Sequence, residues 1–390
     1  MSSLFPSFDS FVKGTATTVA GLSTVGVGLL FFGQNYLIYP SAFPPGSRTV
    51  LSTLSVEVPT PADFDLPYQD LPLTTPDNVT LRCYLLTQRT EMPFPGAMPV
   101  ETSEHETNEE FAARRPTILM FHGNGGNVGH RIPLAKVFYV KMRCNVLMLS
   151  YRGYGRSEGS PSEKGMHQIG LRFARLYTQH PPRQSHSILS KTPIILYGQS
   201  IGGAVAIDLA HRNPHAVRAL VLENTFLSLP RLVPSALPVL GPFAFLCHQK
   251  WDSASKVPLI PAEIPMLLLS GVRDEVVPRE HMQELWKLVQ QRVPRGRRPS
   301  DQPQGEGDVK EAESPKHPAA SHSRFIEFPR GTHNDTCVQE GYWHAVAAFV
   351  MEVAPEEAPS SATSATTPTP SISSISSLPS TTSTWDEFES

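Results

Sequence analysis

From Thr117 onward, short runs that are apolar at every position alternate with segments of helical pattern. "TILMFHG" (117–123), "NVLMLSYRG" (145–153), "PIILYGQS" (193–200), "RALVLENTF" (218–226), "PMLLLSG" (265–271) and "RFIEFPRG" (324–331) are the apolar runs. Helices are predicted between them over 128–142, 165–179 and 201–212. Strands apolar on both faces and separated by helices predict an α/β fold, a mainly parallel sheet covered by helices on both faces. Before it, "LPLTTPDNVTLRCYLL" (71–86) predicts two strands joined by a turn at Pro76-Asp77-Asn78. One domain over 68–353 accounts for the whole pattern.

Three segments interrupt the alternation. Residues 88–115 are polar, with five glutamates between Glu101 and Glu110, and predict a surface insertion without strand or helix. Residues 227–264 are apolar and rich in proline, and are the candidate lid. Residues 293–323 are polar and predict a disordered loop, as does the Ser/Thr/Pro-rich tail 354–390.

The front of the chain has a different pattern. No residue from Gly14 to Ser47 is charged, and 17–39 is long enough for the ~20 residues that cross a hydrocarbon core. A transmembrane helix is therefore expected after a short tail (1–16), with a connector over 40–67. Tyr36 and Tyr39 are expected at the headgroups. A cleaved signal peptide fits less well, because the first 13 residues hold one Lys and one Asp and no A-x-A site follows. Lys13 and Arg48 on the two flanks give no charge asymmetry to orient the span.

Composition narrows the chemistry. The net charge is −3 over 390 residues and there is no basic stripe, so nucleic acid is not an expected partner. The four cysteines (Cys83, Cys144, Cys247, Cys337) have no ligand spacing, so neither a zinc site nor a disulfide framework is indicated. No metal or organic cofactor is expected.

In a parallel sheet, ligand-facing residues collect at the carboxyl ends of strands. Those positions hold His122-Gly123-Asn124, Ser200, Asp274 and His333. Ser200 lies in Gly-Gln-Ser-Ile-Gly between an apolar run and a helix, where Gly198 and Gly202 would allow a sharp turn. A serine hydroxyl is a poor nucleophile until a base takes its proton, and His333 can serve. Asp274 can hold the other ring nitrogen, with Glu275 and Glu223 as alternatives, while His322 and His344 compete with His333. Backbone N–H groups of Asn124 and Ile201 are the candidate oxyanion donors. His122 is expected to orient the glycine loop, and Tyr151, Arg152, Gly153 and Gly155 to shape a turn beside the pocket. The duller possibility for Ser200 is a helix N-cap.

These residues sit within "FHGNGGN", "LSYRGYGRSEGSPSEKG", "YGQSIGGAVAIDLA", "ENTFLSLP", "WDSASK", "SGVRDEVVP" and "PRGTHNDT". With them the chain resembles the α/β-hydrolase superfamily and, within it, the membrane-anchored "Bem forty-six" group. The resemblance implies Ser200 as nucleophile, Asp274 as acid, His333 as base, and Asn124 and Ile201 as oxyanion donors. It also implies a membrane partner through the N-terminal anchor; fungal members of the group are associated with endoplasmic reticulum or plasma membranes, and the endoplasmic reticulum is the first expectation. The expected reaction is acyl transfer to water, on an ester or thioester, through an acyl-Ser200 intermediate; the apolar candidate lid and the anchor favour lipid-like or acylated substrates, and depalmitoylation is not itself implied. Related depalmitoylases attach through an N-terminal cysteine cluster, whereas the first cysteine here is Cys83. A non-catalytic membrane scaffold and a serine peptidase are the competing functions on the same fold.

Overall fold

The computed structural model describes residues 8–43, 47, 48, 58–168, 191–295 and 322–355; within its first helix, the side chains of residues 8–16, 19, 20 and 22 are not described. Residues 296–321 of the predicted loop 293–323, residues 356–390 of the predicted tail 354–390 and most of the helix predicted over 165–179 lie outside these residues. Residues 163–168 of that helix are helical.

The strands form where the apolar runs predict them. β1 (Gln69–Thr74) and β2 (Thr80–Leu86) are antiparallel partners joined at Asn78, whose φ of 59° suits the turn. They are followed by β3 (Thr117–Phe121), β4 (Asn145–Leu149), β5 (Ile194–Gln199), β6 (Ala219–Glu223), β7 (Met266–Gly271) and β8 (Arg324–Phe328). The sheet order is β1-β2-β4-β3-β5-β6-β7-β8. β2 meets β4 antiparallel, and every later pairing is parallel. Alternate residues feed two cores. Leu119, Phe121 and Leu196 pack on one face, while Ile118, Met120, Ile195 and Tyr197 pack on the other. Because both faces are buried, these strands carry no polar alternation.

Two expectations need correction. Within 88–115 the chain forms a helix, Asn108–Ala113, opened by a capping box between Thr107 and Glu110. Its Phe111 is fully buried beneath the guanidinium groups of Arg114 and Arg143. One buried aromatic is enough to fix a short helix that the surrounding polarity concealed. The lid expectation also contracts. Leu229–Ala236 is a helix that buries Leu229 and Leu232 in the core, Pro238–Leu246 is a 3-10 segment with no buried residue, and Trp251, Val257, Ile260 and Ile264 belong to the core.

At the front, Phe8–Ile38 is a single helix. Among the described residues no helix is long and apolar enough to cross a membrane. Tyr36 is exposed, whereas Tyr39, expected at the headgroups, is buried in the domain core. Its hydroxyl accepts from Trp251 Nε1 at 2.8 Å and donates to Gln249 Oε1 at 3.0 Å. A phenol with both hydrogen-bonding roles filled inside the protein has no need of the headgroup layer.

Candidate active site

Ser200 leaves β5 with φ 56° and ψ −122°, a region few side-chain-bearing residues adopt and one that costs about 1–3 kcal/mol. The surroundings hold it there. Its N–H donates to the Glu223 carbonyl at 2.9 Å, and its own carbonyl accepts from Gly203 N and from Thr225 Oγ1 at 2.7 Å. A Cβ on Gly198 would run into the backbone of Gly202, and one on Gly202 into the Phe121 carbonyl, so strand and helix meet too closely for any side chain. Ser200 occupies the N-terminal position of helix Ile201–Arg212, yet its side chain makes no capping hydrogen bond. The N-cap reading of this serine is therefore excluded.

β7 and β8 lie side by side and end together, which brings Asp274 to His333 across 59 residues of chain. The His333 Nδ1 lies 2.8 Å from Asp274 Oδ2 and 3.0 Å from Oδ1. Asp274 Oδ1 also accepts from Val276 N at 2.8 Å and Val277 N at 2.7 Å, so the carboxylate is aimed before the histidine arrives. The other acids are otherwise engaged. Glu275 accepts from the His333 backbone N–H, and Glu223 is wholly buried, accepting from the hydroxyls of Tyr197 and Tyr342 at 2.6 Å each. Burial raises the Glu223 carboxyl above the ordinary carboxylate range, although the two phenols oppose the shift. Of the competing histidines, His322 pairs with Glu352 on the surface and His344 is exposed on the last helix, Tyr342–Val353.

Asn124 follows β3. Its side-chain Oδ1 accepts from Tyr154 Oη at 2.7 Å, and its Nδ2 donates to the Ile38 carbonyl at the end of the N-terminal helix. His122 is buried, with Nδ1 on the Gly123 carbonyl at 2.7 Å and its ring against Tyr151. Burial pushes its pKa down to about 3, so the imidazole is neutral and braces the loop as expected. Gly153 and Gly155 have φ of 76° and 51°, and Tyr151 Oη donates to the His122 carbonyl, so this turn also shapes the site.

Ser200, His333, Gly123, Asn124 and Ile201 line one cavity of about 470 Å³. Apolar side chains line it as well: Phe226 after β6, Leu229, Leu232 and Val233 from the helix Leu229–Ala236, Leu237 just after it, and Leu37 and Ile38 from the N-terminal helix.

The α/β-hydrolase fold model matches residues 116–246. Along 90% of this chain, 351 residues are aligned at 37% identity with protein bem46 of Schizosaccharomyces pombe, covering 96% of that protein. The chain belongs to the Bem46-like α/β-hydrolase family. A further relative is the Saccharomyces cerevisiae membrane protein YNL320W, 32% identical over 86% of this chain and 94% of its own. Another is the α/β-hydrolase domain-containing protein WAV2 of Arabidopsis thaliana, 31% identical over 89% and 97%. In fold alone, the chain is similar to the Pyrococcus furiosus esterase Pf2001 (17% identity, TM-score 0.51, 78% of this chain and 96% of that one).

In this α/β-hydrolase, His122 and Asn124 follow β3, Ser200 follows β5, Asp274 follows β7 and His333 follows β8, all at the carboxyl edge of the sheet, whereas His322 precedes β8 and His344 lies on the last helix. Others escaped notice. Asn224, with φ 45°, donates to the carbonyls of Thr332 and His333 and to Thr336 Oγ1, and accepts from Gly271 N at 2.8 Å. It ties the histidine loop to the ends of β6 and β7. Gln199 Nε2 adds a bond to the His333 carbonyl at 3.1 Å. The signal was the motif "ENTFLSLP", where an Asn directly after a strand suits a left-handed turn.

Proposed function

We propose that this protein is a membrane-anchored serine hydrolase that cleaves an ester or thioester of a lipid-like or acyl-protein substrate, palmitoyl-protein included. The observation that carries the reading is His333, hydrogen-bonded to Asp274, lining the same cavity as Ser200 together with apolar side chains. In this reading Asp274 keeps the Nδ1 proton of His333 and leaves Nε2 as the base. His333 takes the Ser200 hydroxyl proton as Oγ attacks the carbonyl carbon. The oxyanion that forms accepts from the N–H groups of Asn124 and Ile201, the latter at the first position of a helix. Collapse breaks the bond to the leaving alcohol or thiol, which receives its proton from His333, and the acyl group stays on Ser200. Water then repeats the sequence, frees the acid and restores the serine. The backbone strain at Ser200 lifts its hydroxyl clear of the helix and presents it to the cavity.

The apolar lining favours a long acyl chain, and about 470 Å³ lies within the ~300–1,000 Å³ usual for small-molecule sites. Anchoring is supported by the uncharged stretch from Gly14 to Ser47 and by the relative described as a membrane protein. The resemblance to fungal members fits the endoplasmic reticulum or the plasma membrane, and we take the endoplasmic reticulum as the first membrane to test. A fluorophosphonate probe tests the chemistry: it is expected to label wild type and to leave Ser200→Ala unlabelled at unchanged melting temperature. Absence of labelling in folded wild type refutes the hydrolase reading and favours a scaffold.

A further inference from the structure

The lid surface carries large apolar side chains with no partner. Val239 is 86% exposed and Phe245 75%, and Leu237 and Phe243 are also exposed. No Asp, Glu, Lys or Arg occurs from Leu232 to Gln249, and the residues bounding this run, Arg231 and Lys250, are both basic. On the N-terminal helix Leu29, Phe32 and Leu37 are exposed as well, all past the exposed Ser23 and Thr24.

The two surfaces are joined. Gln34 lies near the end of the N-terminal helix and is buried. Its Oε1 accepts from the backbone N–H groups of His248 at 2.9 Å and Gln249 at 3.3 Å, and its Nε2 donates to the Leu246 carbonyl at 3.3 Å. His248 Nε2 lies 3.1 Å from the Phe31 carbonyl. A glutamine that uses both ends of its amide on the backbone just after the lid fixes the lid's position along the helix. Leu37 from the helix and Leu237 from the lid both line the cavity and both remain exposed, so they stand at its mouth.

We infer that the lid segment Pro238–Leu246 inserts into the bilayer interface beside the N-terminal helix, so that the cavity opens into the membrane and an acyl chain enters between Leu37 and Leu237 without crossing water. The inference rests on the anchored-hydrolase reading above and extends it. Lipid is the occupant of this surface. An uncharged apolar patch of this extent is otherwise an aggregation hazard, and its two bounding basic residues suit the headgroup region. Gln34 fixes the depth: once the helix is in the membrane, the lid is carried to a set height on it.

The full chain, reconstituted into phosphatidylcholine vesicles, provides the test. All four native cysteines are buried, so a cysteine introduced at Val239, Phe245 or, as a control, the exposed Met351 on the last helix can be labelled selectively with an environment-sensitive fluorophore. Probes at 239 and 245 are expected to shift to the blue on vesicle addition and to be quenched by nitroxide lipids, while the probe at 351 is not. In parallel, Val239→Asp/Phe245→Asp is expected to lower hydrolysis of vesicle-embedded long-chain esters by about tenfold, since each charge at a bilayer interface weakens partition several-fold. Hydrolysis of a short soluble ester is expected to stay unchanged. Probes that remain water-like while the protein floats with the vesicles overturn the inference and leave the anchor intact. A blue shift that appears without vesicles, together with a dimer mass, overturns it in favour of a second copy of the chain. If the protein does not float, both anchor and inference fail. If no ester of any length is cleaved, the hydrolase reading fails while the probes still decide where the lid sits.

Discussion

Asp274→Asn separates the charge of the proposed relay from its shape. The aspartate's Oδ1 accepts two backbone N–H groups at 2.7 and 2.8 Å, and an amide must keep its oxygen there or leave both unpaired. The NH2 group then replaces Oδ2, 2.8 Å from His333 Nδ1. Two donors would face each other. The ring escapes by moving its proton to Nε2, and an Nε2–H cannot accept the Ser200 proton. An acid-to-amide change of this kind lowers kcat by ~10⁴, equivalent to about 5 kcal/mol of transition-state stabilisation. Stability should change by only about 1 kcal/mol, because the turn bonds survive. The assay is kcat for p-nitrophenyl butyrate, with the melting temperature and the rate of fluorophosphonate labelling measured on the same sample. The labelling rate should collapse while its final extent, set by Ser200, is retained. A kcat within about tenfold of wild type at preserved melting temperature would refute the relay, since that margin leaves the aspartate no electrostatic role.

Two further outcomes follow from the supporting residues. Asn224→Gly keeps the backbone free to hold φ 45° but removes four side-chain hydrogen bonds around the histidine loop. It is expected to cost about 2–3 kcal/mol in urea denaturation and to lower kcat more than it alters KM, whereas an equal loss of stability with unchanged kcat would make Asn224 purely structural. His122 predicts a pH dependence: its folded pKa of about 3 lies below the unfolded value near 6.5, so the unfolded chain alone binds a proton between these limits. Stability should therefore be unaffected above pH 6.5 and fall by about 1.4 kcal/mol per unit as the pH drops toward 3, and His122→Asn should flatten that slope when urea midpoints at pH 7 and 4.5 are compared.

What the chain carries locally could be read from it directly. Strands apolar on both faces announce a covered parallel sheet, because no solvent face imposes alternation. The glycines flanking Ser200 announce a backbone crowded enough to bar any Cβ. Tertiary structure decided what depends on which strand ends lie side by side. Asp274, Glu275 and Glu223 are equivalent as carboxylates near strand ends, and only the β7–β8 pairing gives one of them the histidine ring. Likewise, hydropathy alone puts Tyr39 at a membrane surface and 227–264 in one lid. In the fold Tyr39 bonds Trp251 and Gln249, and the second half of the segment is core. Composition records how apolar a residue is; whether protein or lipid satisfies it is settled by the neighbours that folding brings from far along the chain.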